Sequence, residues 1–70
     1  MTAQNTKFPG AARILYNLAC YRSLLGHPDK SLAHLKEAIA KDRTFRQVAQ
    51  RETDFDPVRT TPAFLAITQP

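Results

Sequence analysis

Residues 15–43, LYNLACYRSLLGHPDKSLAHLKEAIAKDR, decide the fold, because they read as two short amphipathic helices joined by a tight turn. The first helix is expected over residues 11–25, where Ile14, Leu15, Leu18, Ala19 and Leu25 recur at the roughly 3.6-residue period of one helix face. Gly26 follows as a left-handed C-cap because it lacks a Cβ. Pro28 suits a first-turn position, where its missing N–H costs nothing. The chain therefore reverses over residues 26–29. In the second helix, residues 29–41, Leu32, Leu35 and Ile39 share a face, and Ser31 and Ala38 beside them are small enough to let two backbones approach. Asp29 in the first turn and Lys41 in the last complement the helix dipole, and Glu37 precedes Lys41 in the favoured ion-pair order. An all-α antiparallel hairpin is the result.

The spacing resembles one tetratricopeptide repeat, whose pattern W-x-x-L-G-x-x-Y, then A-x-x-x-F, then P runs over about 34 residues. Leu15, Leu18, Ala19, Ser31 and Leu35 stand at the aromatic, leucine, small, small and bulky positions, and Ala38 adds a further small contact. The run Tyr16-Asn17-Leu18-Ala19-Cys20 and the later Leu24-Leu25-Gly26 look like bacterial members of the family. Arg22 replaces the usual Tyr and Arg43 the closing Pro, which implies a softer helix exit or direct continuation into another helix. A plain helical hairpin of the same periodicity is the alternative.

The C-terminal part of the chain reads as a cap rather than a second copy. Thr44 and Gln47 have capping-box spacing, which predicts a third helix over residues 45–51 with Phe45, Val48 and Ala49 facing the hairpin. Asp56-Pro57 and Thr61-Pro62 each pair a helix-starting side chain with proline, which predicts two short turns. Phe64, Leu65 and Ile67 are expected to fold back over the hairpin, and the 54–64 segment resembles tails that follow the last repeat in bacterial repeat proteins. The expected organisation is an arm over residues 1–10, mobile over 1–7, a hairpin with its third helix over 11–52, and a capping tail over 53–70.

At 70 residues the core is small, and a single repeat normally needs neighbours to bury its apolar faces. Its own cap, self-association into a homo-oligomer, or a larger parent polypeptide would each supply the cover. One cysteine leaves no disulfide framework, which points to the reducing cytoplasm, and no apolar run is long enough for a signal peptide or a membrane span. The formal charge of +4 raises a nucleic-acid partner, with Arg43, Arg46 and Arg51 as phosphate contacts. That cluster has no interleaved exposed aromatics, and Glu52, Asp54 and Asp56 come directly after it, so a solvated face or an acidic protein or peptide partner suits it at least as well.

Chemistry has thin support. Cys20 and His27 lie seven residues apart and His34 a further seven, but no third group stands ready to orient a base. One cysteine and two separated histidines fall short of a structural zinc set, and Pro57 and Val58 break the calcium-loop pattern begun by Glu52, Asp54 and Asp56. No catalytic, cofactor or metal residue is assigned. The family resemblance instead implies a non-catalytic adaptor or scaffold that binds a partner peptide or helix on the inner face of the first helix. Its ligand positions fall on Arg13, Tyr16, Asn17, Cys20 and Ser23, with Leu24 at the edge. The carboxylate clamp of chaperone-binding members draws on several repeats, so a chaperone C-terminus is not implied. Repeat stacking between copies and nucleic-acid binding are the alternative functions.

Overall fold

Two helices packed side by side carry the fold, and the C-terminal part of the chain packs across both. The computed structural model describes residues 10–69, and the arm expected over residues 1–7 lies outside them. The elements are α1 (Gly10–Leu24), α2 (Pro28–Lys41), α3 (Thr44–Arg51), a 3-10 helix (Thr53–Val58) and α4 (Pro62–Thr68). Every regular element among the described residues is helical, so the chain is all-α, with a helical hairpin, a third helix and a short C-terminal helix in the expected order.

The hairpin turn forms as its residue types dictate. Gly26 adopts φ 81°, its amide donates to the Ser23 carbonyl at 3.0 Å, and the His27 amide donates to the Arg22 carbonyl at 2.9 Å. These are the paired bonds of a Schellman cap, and Pro28 then opens α2. A Cβ on Gly26 would meet nothing within 4 Å, so substitution there costs only backbone strain. Gly26→Ala is expected to lower stability by about 1–2 kcal/mol, and Gly26→Asn by less, when both are compared with the parent in urea melts.

α2 turns inward the face expected from its period: Ser31, Leu32, Leu35, Ala38 and Ile39. Where it crosses α1, Ala12, Ala19, Ser31 and Ala38 are fully buried, and the Ser31 hydroxyl donates to the Ala19 carbonyl at 2.8 Å. Small side chains permit that approach, and the hydrogen bond satisfies the Ser31 hydroxyl that the crossing buries.

α1 is rotated from the expectation. It buries Ala12, Tyr16, Ala19, Cys20 and Ser23, whereas Ile14 is 59% exposed, Leu25 49% exposed, and Leu15 and Leu18 are only half-buried. The cause is an aromatic column. Tyr16 stacks on Phe45 with centroids 4.6 Å apart and meets Phe55 edge-on at 5.7 Å, and Phe55 packs against Phe64 at 5.6 Å. Four elements thereby share one line of rings, whose area and edge-to-face contacts fix which side of α1 faces in.

The remaining connections also differ in detail. The Thr44 and Gln47 capping box does not form; the Asp42 carboxylate accepts instead from the Thr44 amide at 3.0 Å and from the Thr44 hydroxyl. A charged acceptor at the positive end of a helix outcompetes a neutral hydroxyl. Phe45 and Ala49 face inward, while Val48 stays on the surface. Asp56-Pro57 does not open its helix, because the 3-10 helix begins after Glu52, whose carboxylate accepts from the Asp54 amide at 3.5 Å; the pair forms its last turn, with the Arg59 amide donating to the Asp56 carbonyl at 3.4 Å. Thr61-Pro62 does open α4, with the Thr61 hydroxyl accepting from the Phe64 amide at 3.2 Å. Phe64 is buried and Ile67 packs at the edge of the core, but Leu65 is exposed.

Arg59, which no sequence pattern singles out, fastens the tail. Its guanidinium donates to the Gln50 and Glu52 carbonyls and to the Asp56 carboxylate, and lies over the Phe64 ring 5.7 Å from its centroid. One planar fork thus bonds the Gln50 carbonyl at the end of α3 and shares the Glu52 carbonyl with the Phe55 amide. Gln50 completes the fastening by donating to the Thr68 carbonyl at 2.7 Å.

Candidate functional site

α1 is a 15-residue helix without an acidic residue, and it is apolar on two sides. The buried side carries Tyr16, Cys20 and Ser23, three of the residues assigned to partner binding from the family resemblance. The 3-10 helix and its neighbours occupy this face. Tyr16 is enclosed by Phe45 and Phe55, and Ser23 is 1% exposed. The place assigned to a ligand on these three side chains is therefore filled by the chain itself. Arg13, Asn17 and Leu24 are exposed and lie along one flank of the helix.

The opposite side of α1 presents Ile14, Leu18, Tyr21 and Leu25. Their spacing of four, three and four residues is that of a helix-packing seam, and on a helical wheel it lies about 180° from the buried face. Tyr21 and Leu24 are each about three-fifths exposed, at 58% and 61%. A helix apolar on both sides normally has cover on both, and among the described residues this side of α1 has none. Arg13 and Arg22 flank the seam, and no carboxylate on α1 balances them.

The basic residues of the third helix divide. Arg43 and half-buried Arg46 line one shallow cleft with Thr44, Gln47 and Gln50, while Arg51 lines a separate depression with Gln47 and Val48. The three arginines do not converge on one phosphate-sized spot.

Around Cys20 the fold assembles a cluster that forms no motif in the sequence. The Cys20 sulfur and one carboxylate oxygen each from Glu52 and Asp54 lie within 4.8 Å of one another. The Tyr16 hydroxyl adjoins the thiol, is sealed from solvent, and has no hydrogen-bond partner of normal geometry. Burial, followed by the Glu52 and Asp54 charges, pushes the Cys20 thiol up to about 11. Burial, followed by Cys20 and the same carboxylates, holds the Tyr16 phenol far above its ordinary value. A thiol so placed stays protonated at neutral pH and is a poor nucleophile. The side chains gathered here are carboxylates rather than His27 and His34, the partners considered from sequence. They are the residues among those described that could hold a metal ion. Sequence reading misses them because Cys20 and Glu52 are 32 positions apart and only the docking of the tail joins them.

In comparisons with known proteins, the chain matches no family model, no curated protein and no solved structure. Among the described residues no helix is long and apolar enough to cross a membrane.

Proposed function

We propose that this chain is a non-catalytic protein-interaction module, a single tetratricopeptide-like hairpin closed by its own tail, that docks an acidic amphipathic helix on the outer side of α1. The observation that carries this reading is the seam of exposed Ile14 and Tyr21 with half-buried Leu18, continued by exposed Leu25 just past the helix end, opposite the face that α1 buries. Large side chains at helix-packing spacing cost solubility when left in water, and a partner helix gains their burial. Arg13 and Arg22 beside the seam select the partner's charge. Pairing two copies of α1 along the seam would bring these arginines together with no acid on either helix to offset them, which favours a foreign acidic helix over a second copy. Arg13 and Asn17, assigned to the inner face by the family resemblance, belong in this reading to the rim of the outer one, with Leu24 beside them. A reducing compartment such as the cytoplasm suits a chain with one free, buried thiol.

The test uses two synthetic helical peptides with the same leucine seam, one flanked by glutamates and one by lysines, titrated against the chain by calorimetry. The glutamate peptide is expected to bind roughly tenfold more tightly than the lysine peptide, since one well-placed charge contact is worth about 1 kcal/mol or more. Ile14→Glu and Tyr21→Glu are expected to abolish binding with the circular dichroism spectrum unchanged, because both side chains are exposed. Equal binding of the two peptides, or binding that survives both substitutions, would sink the proposal. Light scattering across a wide concentration range supplies a further check: a dimer that Ile14→Glu dissolves would assign the seam to a second copy instead.

A further inference from the structure

Glu52 and Asp54 are both half-buried, and among the described residues neither carboxylate takes part in a salt bridge. Arg59, the nearest basic candidate by its contacts, commits its guanidinium to the Asp56 carboxylate and to two backbone carbonyls. Glu52 uses one carboxylate oxygen for the Asp54 amide at 3.5 Å, which leaves the other for a ligand. Facing them from α1 is Cys20, 9% exposed, and beside Cys20 the unpartnered hydroxyl of Tyr16, a residue 6% exposed. Two half-buried carboxylates, a sulfur donor and a hydroxyl sealed from solvent thus share one spot with no basic side chain bonded to the carboxylates. Burial of uncompensated charge is costly, and a cation is what such a spot lacks.

We propose that Cys20, Glu52 and Asp54 bind a zinc-class divalent cation, and that the Tyr16 hydroxyl donates a hydrogen bond to the metal-bound Cys20 thiolate. The mutual separations of up to 4.8 Å need only a small contraction to reach the roughly 3.5 Å between neighbouring ligands of a four-coordinate zinc ion, with water as the fourth ligand. The sulfur selects against calcium and magnesium, which take oxygen ligands, and the two carboxylates select against copper(I), which prefers thiolates and thioethers. Binding replaces the thiol proton, which leaves to solvent, with a sulfur–metal bond. Tyr16 then gains a thiolate acceptor in place of the neutral thiol, in the manner of outer partners that orient metal ligands. The ligands belong to α1, to the residue that joins α3 to the 3-10 helix and to the first turn of that helix, so the ion bridges the hairpin and its tail.

The experiment titrates Co2+ into the reduced, chelator-treated full chain and follows absorbance. Saturation at one equivalent is expected, with a near-ultraviolet thiolate-to-cobalt band that Zn2+ abolishes and a large excess of Ca2+ does not. Cys20→Ser should remove the band. Glu52→Gln and Asp54→Asn should each weaken binding about tenfold or more, and Tyr16→Phe should keep the band and weaken binding by about 10- to 100-fold. His27→Ala and His34→Ala should bind as the parent does. Absence of a saturable band at millimolar Co2+, a band that persists in Cys20→Ser, or parental affinity in both carboxamide variants would overturn the proposal. Circular dichroism accompanies each titration, and the carboxamide variants, which change half-buried side chains by one atom each, keep the test decisive if Cys20→Ser unfolds.

Discussion

Phe55→Ala is expected to remove about 3–5 kcal/mol of stability, a large share of what a chain of this size has. Phe55 is fully buried at the middle of the aromatic column, touching Tyr16 on one side and Phe64 on the other. Truncating a buried phenylalanine costs about 3–5 kcal/mol through lost burial and the cavity left behind. A chain of 70 residues has only roughly 4–10 kcal/mol to lose, and a small domain has little secondary core to fall back on. The loss also spreads, because Phe55 is what holds the 3-10 helix on α1. Urea melts followed by circular dichroism give the answer. A midpoint that moves by the equivalent of less than about 1 kcal/mol would mean that the tail does not rest on Tyr16.

The second large effect separates two leucines that the sequence treats alike. Leu35 is fully buried between the helices, and Leu35→Ala is expected to cost about 2–5 kcal/mol. Leu18, which the period places in the core stripe of α1, is half-buried on the side away from Tyr16 and Cys20, so Leu18→Ala should cost no more than about 1 kcal/mol. Alanine is also the better helix former, which offsets part of that loss. The same urea melts compare the two variants. Equal losses would return α1 to the orientation expected from its leucines and remove Leu18 from the seam proposed for a partner.

The difference between those leucines shows where the sequence is legible. α2 has its large apolar residues on one face only, so its period admits one reading, and Ser31, Leu32, Leu35, Ala38 and Ile39 turn inward accordingly. α1 carries two apolar stripes on opposite sides, and periodicity alone cannot rank them. Tyr16 decides between them by packing against rings from later elements, a long-range fact that no local window contains. The turn at Gly26 and the start of α4 at Thr61 are legible because a glycine with positive φ and a proline after a hydroxyl admit few conformations. At Asp42 and Thr44 two capping residues compete, and the charged one wins. Of the candidate site, Arg13, Asn17 and Leu24 are named only by the family resemblance, which puts them on the inner face of α1, whereas they lie on an exposed flank. The meeting of Cys20 with Glu52 and Asp54 cannot be named from sequence, because nothing in their spacing is periodic.

The aromatic column also orders events in time. α1 and α2 meet across a turn of a few residues, whereas Tyr16 and Phe55 are 39 positions apart. Chain-closure entropy rises with the length of the loop, and contacts between distant positions reward the chain only after that cost has been met. The hairpin is thus the readily formed nucleus, and the arrival of the tail on Tyr16 is the slow closure. The refolding rate, followed by stopped-flow fluorescence or circular dichroism, is expected to track how quickly the last third of the chain finds its first.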